Sequence, residues 1–531
     1  MLSRRRCNSI RFQSNLGVFL FCLLCAAAHA QESTQQDLGE GEKAKVQIKS
    51  LKITGNTAIS TEELNSIVRP HLSAALDLAA LQQIAKLITG EYVNRGYILA
   101  RAYVPQQEVH DGVAEVDVLE GKVREILVEG NKYYSTDFIR RAFARVFGEK
   151  AFRQDLLEKT LLLLNDYPDL KATALLQSGT DAGTTDIVVH VEDQRPIHLL
   201  LDYNNFGSEF VSRHRFGAEV NVGNVIIEGS SLSIRGLTGS KPADFLYGRT
   251  FYSAPVNGYD TKLGFGIFGG NFDVGREFAK LDINGKIWGY DVSLSHPLIK
   301  SRFQILKADF AYESKDTQQF LLGSLSSRDK IRMLRAGLSY ENVDSTGRNF
   351  VTLGLFQGLG HAFGAMENND PRSSRLGADN RFTRFNLNLA RLQRIHERVS
   401  LILRAAGQTS TDSLVAGEQF SLGGPDTVRG YPQGEVLGDD AYNVSAEVRL
   451  SPLPNKEIAQ LAFFIDHGAV SIKKQVPGQS KYDDLTGAGV GVRLYLPYNV
   501  NFRFDVGFPI KPSRTSSGDR HVFYLQAGVK F

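Results

Sequence analysis

The sequence predicts a signal peptide, two small α+β units, and then a C-terminal transmembrane antiparallel β-barrel of about sixteen strands. Three observations predict it. The chain opens on a basic and then apolar segment of export type, its second half repeats short runs of alternating apolar and polar residues, and it ends in mid-alternation on Phe531. A period of two gives a strand one apolar and one wet face, which a wall between lipid and water requires.

In residues 1–30, Arg4, Arg5, Arg6 and Arg11 precede the apolar run Leu16 to Leu24 and then Ala28-His29-Ala30. That run is too short to span a bilayer, and the small-x-small ending predicts cleavage before Gln31. Cys7, Cys22 and Cys25 are the only cysteines, so the mature protein is expected to have no disulfide, thiolate nucleophile or cysteine metal site. The full chain carries +3; losing the four arginines of a segment without acids leaves −1. Nucleic acid is therefore not an expected partner. After residue 30 no stretch approaches the eighteen apolar residues of a transmembrane helix. A 42% hydrophobic content with 50 glycines is not that of a disordered chain either, and a barrel reconciles the two.

Residues 31–45 are polar and read as a flexible leader. An internal repeat follows. Ile53-Thr54-Gly55-Asn56 runs on to Ser60-Thr61-Glu62, and Val128-Glu129-Gly130-Asn131 to Ser135-Thr136-Asp137, each element displaced by 75 residues. Both copies read as strand, helix, helix, strand, strand. In the first, residues 46–121, a strand covers Val46 to Ile53 and Ser60 with Glu63 forms a capping box. Leu81, Ile84, Ala85 and Ile88 share a helical face, and strands follow near Ile98 to Val104 and Val113 to Leu119. The second, residues 122–194, places strands at Arg124 to Val128, Ala172 to Gln177 and Thr185 to Val191, with helices at Ser135 to Phe147 and Gln154 to Leu164. Such βααββ units resemble POTRA domains, the periplasmic modules of outer-membrane transporters.

Residues 195–531 are expected to form the barrel, with segments starting from near Ile197 to near His521. Phe502, Phe504, Val506 and Phe508 oppose Asn501, Arg503, Asp505 and Gly507; Tyr442, Val444, Ala446, Val448 and Leu450 oppose Asn443, Ser445, Glu447 and Arg449. Charges on the second face argue for an aqueous interior. Short turns at Asp344 to Gly347, Ile395 to Glu397 and Leu496 to Asn499 alternate with longer loops at His361 to Asn380 and Pro509 to Arg520, which puts the C-terminus on the periplasmic side. In the last strand Phe523, Leu525, Ala527, Val529 and Phe531 share a face and resemble the C-terminal signal by which bacterial outer-membrane barrels are assembled.

One connection, residues 410–441, is unusually long and contains Val428-Arg429-Gly430-Tyr431. On the second strand after it stands Phe464-Ile465-Asp466-His467-Gly468, whose parity turns Phe464, Asp466 and Gly468 inward if Leu461, Phe463 and Ile465 face lipid. Gly487, Gly489 and Gly491 then leave luminal space. With these two motifs the chain resembles the two-partner secretion transporters (TpsB, haemolysin/haemagglutinin secretion-activation type) of the POTRA plus β-barrel insertase superfamily. The resemblance implies that the loop folds back into the lumen and that Arg429 reaches Asp466. It also implies a pore that secretes a large TpsA-like exoprotein, of haemolysin or adhesin type, across the outer membrane without ATP. Leu99, Ala100, Arg101, Ala102, Tyr103 and Val104 are the expected substrate-binding edge of the first POTRA unit, where a client adds as a strand. Further expected partners are outer-membrane lipid and lipopolysaccharide, and during biogenesis the barrel assembly machinery and periplasmic chaperones.

No cofactor, metal or catalytic site is expected, because the chain lacks a Gly-x-Ser-x-Gly elbow, a His-Glu-x-x-His pair and a Walker loop. An outer-membrane protein assembly factor of the same superfamily is the alternative. A passive porin is a weaker one, since it gives two periplasmic domains no purpose.

Overall fold

The internal repeat is a repeated turn. The computed structural model describes residues 48–72, 76–109, 111–181, 183–510 and 518–531, so the signal peptide and the leader lie outside the described residues. Gly55 (φ +76°) and Gly130 (φ +88°) adopt left-handed values that favour glycine. A Cβ on either would run into the carbonyl oxygen of Val118 or Val191. Asn56 Nδ2 then donates to Ile59 O (2.9 Å), as Asn131 Nδ2 donates to Tyr134 O (2.8 Å). Ser60 and Ser135 cap the following helices by accepting from Glu63 N and Phe138 N. The Glu63 carboxylate, expected to complete a capping box, instead takes Arg95 Nη2 at 2.6 Å, a charge-assisted bond stronger than one to a backbone N–H.

The first unit consists of β1 (Ser50–Thr54), α1 (Thr61–Val68), α2 (Leu78–Asn94), β2 (Arg101–Tyr103) and β3 (Val113–Leu119). Its sheet order is β1-β3-β2. Leu64, Leu81, Ile84 and Ile88 of the helices bury against Ile53, Ala114 and Val116 of the sheet. The second unit consists of β4 (Lys122–Glu129), α3 (Thr136–Ala142), α4 (Ala144–Gly148), α5 (Gln154–Leu164), β5 (Leu170–Ser178) and β6 (Thr184–Asp193), with order β4-β6-β5. The single helix expected from Ser135 to Phe147 is broken at Phe143. Its N–H donates to Arg140 O in a tight turn that sinks the ring fully into the core.

The barrel is a closed ring of sixteen strands. They are β7 (Ile197–Asn204), β8 (Arg215–Gly223), β9 (Ser231–Gly239), β10 (Phe245–Pro255), β11 (Lys262–Val274), β12 (Ile283–Lys300), β13 (Gln304–Leu321) and β14 (Ser324–Val343). Then follow β15 (Gly347–Gly358), β16 (Thr383–His396) and β17 (Val399–Ser410), and, past the long connection, β20 (Asp440–Leu450), β21 (Ala459–Ser471), β22 (Tyr482–Leu496), β23 (Val500–Pro509) and β24 (Val522–Lys530). The connection itself, residues 411–439, carries the short hairpin β18 (Phe420–Leu422) and β19 (Val436–Gly438). Closure is antiparallel between β24 and β7. Phe531 lies just past β24 yet exchanges backbone hydrogen bonds with Leu199, so the terminal residue belongs to the seam.

Alternation decides what faces lipid. Val444, Phe463, Ile465, Val490 and Phe523 are exposed on the outer wall, whereas Glu447, Asp466 and Asp505 between them are buried inside. Short turns at 344–346, 397–398 and 497–499 fall on one rim and longer loops on the other. The lengths overlap, since 451–458 lies on the short-turn rim and the two-residue turn Leu322–Gly323 on the long-loop rim. There β13 and β14 run on for 18 and 20 residues and are joined by a positive-φ pair, as a tight hairpin requires.

The second unit seats on the short-turn rim. Glu228, between β8 and β9, caps the N-terminus of α3 by accepting from Ser135 N (2.6 Å) and Ser135 Oγ (2.9 Å). Lys300 pairs with Asp166 at 2.5 Å, and His198 lies 2.8 Å from Asp169.

Candidate functional site

Loop 411–439 enters the lumen, and its tip meets the wall at β20 and β21. Arg429 is fully buried. Its Nε donates to Asp466 Oδ2 at 2.7 Å and its Nη2 to Asp466 Oδ1 at 2.9 Å, a two-pronged grip available to a planar guanidinium. The Arg429 backbone N–H adds a third bond to the same carboxylate at 3.1 Å. Phe464 lies flat beneath, its ring centre 3.4 Å from the guanidinium carbon. Val428 and Tyr431 are buried with Leu422, Val470 and Leu485, and Tyr431 Oη donates to Thr486 O.

Glycines make this approach possible. A Cβ on Gly487 would strike the carbonyl oxygen of Arg429, and one on Gly507 would strike Gly430 N. A Cβ on Gly489 would strike the Phe464 ring, and one on Gly468 would meet Leu422 of the hairpin at 2.7 Å. Gly430 itself has φ +106°, and its backbone lies against Phe508 and Pro509.

The structure therefore brings Val428, Arg429, Gly430 and Tyr431 together with Phe464, Asp466 and Gly468. It also supplies partners that motif reasoning did not assign. Glu447 Oε2 accepts from Arg429 Nη1 at 2.5 Å, and Ser445 Oγ lies 3.4 Å from Nη2. Glu447 further pairs with Arg449 (2.7 Å), and Arg493 bonds Asp505 (2.5 Å), so the tip plugs into a network of alternating charge. Tyr524 accepts from Gly430 N at 3.0 Å and donates to Tyr431 O at 2.6 Å. Parity already turned Glu447 and Asp505 inward; it carries no information on which inward groups converge.

The expected edge Leu99 to Val104 is corrected. Only Arg101, Ala102 and Tyr103 form a strand, and it is an edge strand of its sheet. Leu99 packs against the core of the second unit instead of extending β2, Ala100 is buried, and Val104 packs on the first core. The outward N–H of Ala102 donates to Thr89 Oγ1 at 2.9 Å, so α2 covers part of the edge. At the other end of the chain, Phe523 is exposed on the outer wall and stacks on Phe504, while Leu525, Ala527 and Val529 share its face and Phe531 follows at the seam.

Comparison with known proteins gives the same architecture. Residues 46–121 match the ShlB-type POTRA domain. HuxB of Haemophilus influenzae (strain 86-028NP), a heme/hemopexin transporter protein, is 25% identical over 487 residues, covering 88% of this chain and 84% of that protein. The solved structure of CdiB from Escherichia coli superposes with a TM-score of 0.75 at 19% identity, covering 94% of this chain and 93% of that one. BamA from Haemophilus ducreyi, lacking POTRA domains 1–3, reaches 0.54 at 16% identity, covering 92% of this chain and all (100%) of that one. Residues 183–494, more than half of the chain, match the model of the haemolysin secretion/activation protein ShlB/FhaC/HecB, and the chain belongs to that family of outer-membrane transporters of two-partner secretion.

Proposed function

We propose that loop 411–439 is the movable lid of a pore that passes one large partner exoprotein from periplasm to cell surface, and that Arg429 with Asp466 and Glu447 is its latch. The observation that carries this reading is a fully buried guanidinium, held by two carboxylates, on a loop tip that has travelled from the outer rim into the lumen. An ion pair suits a latch better than an apolar contact. Closed and dry, removing one partner costs about 3–5 kcal/mol because the other charge is left buried. Once water enters, the same charges are hydrated and the loop is released with little penalty.

The client would arrive extended and pair along a sheet edge. Arg101 to Tyr103 offers a short landing place, whereas β5, also an edge, offers nine residues. Asn165 holds both backbone groups of Ala172 on that edge, and by alternation Ala174, Leu176 and Ser178 turn theirs the same way. Backbone pairing accepts many sequences, which an export channel for a long chain needs. Folding of the client outside supplies the direction, with no ATP and no chemical step on the client. HuxB is named for heme/hemopexin transport, and a protein client of comparable kind is the reading here. Lipopolysaccharide and lipid around the wall, and the barrel assembly machinery and chaperones during insertion, complete the proposed partners.

Export of the host's partner exoprotein, in a deletion strain complemented with Arg429→Ala or Asp466→Ala, tests the latch. Loss of export with normal heat-modifiable barrel on gels is expected. Wild-type export from both variants would remove the lid reading.

A further inference from the structure

The tip is not the only part of loop 411–439 held by buried charge. Its root carries Glu418, 3% exposed, whose carboxylate meets two cations: Lys315 Nζ, and Arg384 Nη1 at 2.8 Å. The Glu418 carbonyl oxygen also accepts from Arg384 Nη1 (2.9 Å) and Gln408 Nε2 (3.2 Å). Lys315 stands on β13 and Arg384 on β16, whereas the loop leaves the wall at β17. The root therefore reaches along the inner wall past β14 and β15, on a different part of the ring from the β20–β21 seat of Arg429.

The far end of the loop is fastened to a second loop. Asp439, fully buried, takes Arg375 Nη1 at 2.6 Å from the connection 359–382 and the N–H groups of Leu414 (2.9 Å) and Lys473 (2.8 Å). Arg375 also donates to Leu414 O. Above this knot Met366, Ala378 and Phe382 of the connection form a small apolar core with Leu414, Val415 and Met333. Releasing Arg429 frees the tip, but the root and its partner loop still cover this side of the mouth.

We infer that the lid has a second, outer latch, Glu418 between Lys315 and Arg384, which has to open as well before the pore is clear, and that connection 359–382 moves with it. The inference deepens the lid reading and rests on it. Charge is again the suitable material: a carboxylate shared by two cations holds when dry and is exchanged for water when the mouth is flooded, whereas the apolar core above it gives way only by sliding as a unit.

The test is ion current through the whole protein in planar bilayers with potassium chloride as the probe. The chain's three cysteines lie within its first 25 residues, so Lys315→Cys with Glu418→Cys supplies the thiols in the barrel. A short bifunctional thiosulfonate bridges them, and reductant removes it. In an Arg429→Ala background the unbridged pair is expected to pass more current than Arg429→Ala alone. Bridging should return it to the closed level, and reductant should reopen it. Equal currents with and without the bridge would overturn the outer latch. If the cysteine pair fails to insert, Glu418→Gln takes its place, with higher open probability expected and an unchanged one overturning the inference. Should Glu418→Gln with Arg429 in place raise the current as far as it does beside Arg429→Ala, the tip-latch reading fails and the root alone gates the pore.

Discussion

At the residue scale, the seat of the loop turns on how a single arginine is accommodated. Arg429→Lys retains the charge but not the fork, so it cannot grip both Asp466 oxygens, reach Glu447 and lie on Phe464 at once. Its closed-state lifetime in planar bilayers is expected to fall between those of wild type and Arg429→Ala. Tyr524→Phe removes the acceptor for Gly430 N and the donor to Tyr431 O in a buried setting. Such a loss costs about 1–3 kcal/mol, and brief spontaneous openings are the expected record. Gly487→Ala puts a methyl group where the Arg429 carbonyl lies. Because that neighbour is backbone, the tip has to lift, and the variant should conduct like Arg429→Ala although every charged partner is present.

At the scale of elements, each POTRA turn is closed by a carboxylate from the end of its unit. Asp193 accepts from the backbone of Lys132, Tyr133 and Tyr134, and Glu120 from Thr57 and Ala58. Burial pushes the Glu120 carboxyl up, but the N–H groups of Ala58 and Thr57, with the Thr57 and Tyr92 hydroxyls, outweigh it and hold the group below its ordinary 4.5. A folded-state value below the unfolded one gives stability that is present above pH 4.5 and is lost as pH falls through the folded value. Hydrogen exchange at residues 55–60, corrected for intrinsic rates, should therefore accelerate as pH drops below that point. Glu120→Gln should show the faster exchange already at neutral pH and little further change on acidification. Gly130→Ala, which adds left-handed strain to a clash with Val191 O, should loosen the second unit in the same assay.

At the scale of the whole molecule, the second POTRA unit and the barrel are joined by polar contacts between rim turns and helix ends. The cap that Glu228 places on α3 and the Lys300–Asp166 pair hold the second unit against the short-turn rim. Glu228→Ala leaves Ser135 N without its carboxylate and is expected to widen the distribution of spin-label distances between α5 and β9, with export falling in proportion. Unchanged distances would mean that the remaining pairs suffice to hold the domain. Deleting Phe531 removes the residue that exchanges backbone bonds with Leu199 at the seam, and slower barrel assembly is expected from pulse-chase heat modifiability.

The strand pattern was readable because alternation is local. Each side chain's face follows from its neighbours two positions away, so all sixteen strands, their inward charges and the two facing motifs were within reach of the sequence. The same holds for the repeated Gly-Asn turns, which are built from residues a few positions apart. Convergence is not local. Whether Glu447 joins Asp466 on Arg429, whether Glu418 spans Lys315 and Arg384, and whether Leu99 extends an edge or packs onto the next domain depend on ring closure and on how far a loop reaches inward. Residues separated by tens to hundreds of positions come into contact only when the barrel closes, and no period in the chain encodes those distances. The sequence by itself determined a wall of alternating strands with a wet interior and one long connection; the tertiary structure decided how many charges hold that loop in the lumen and from which strands.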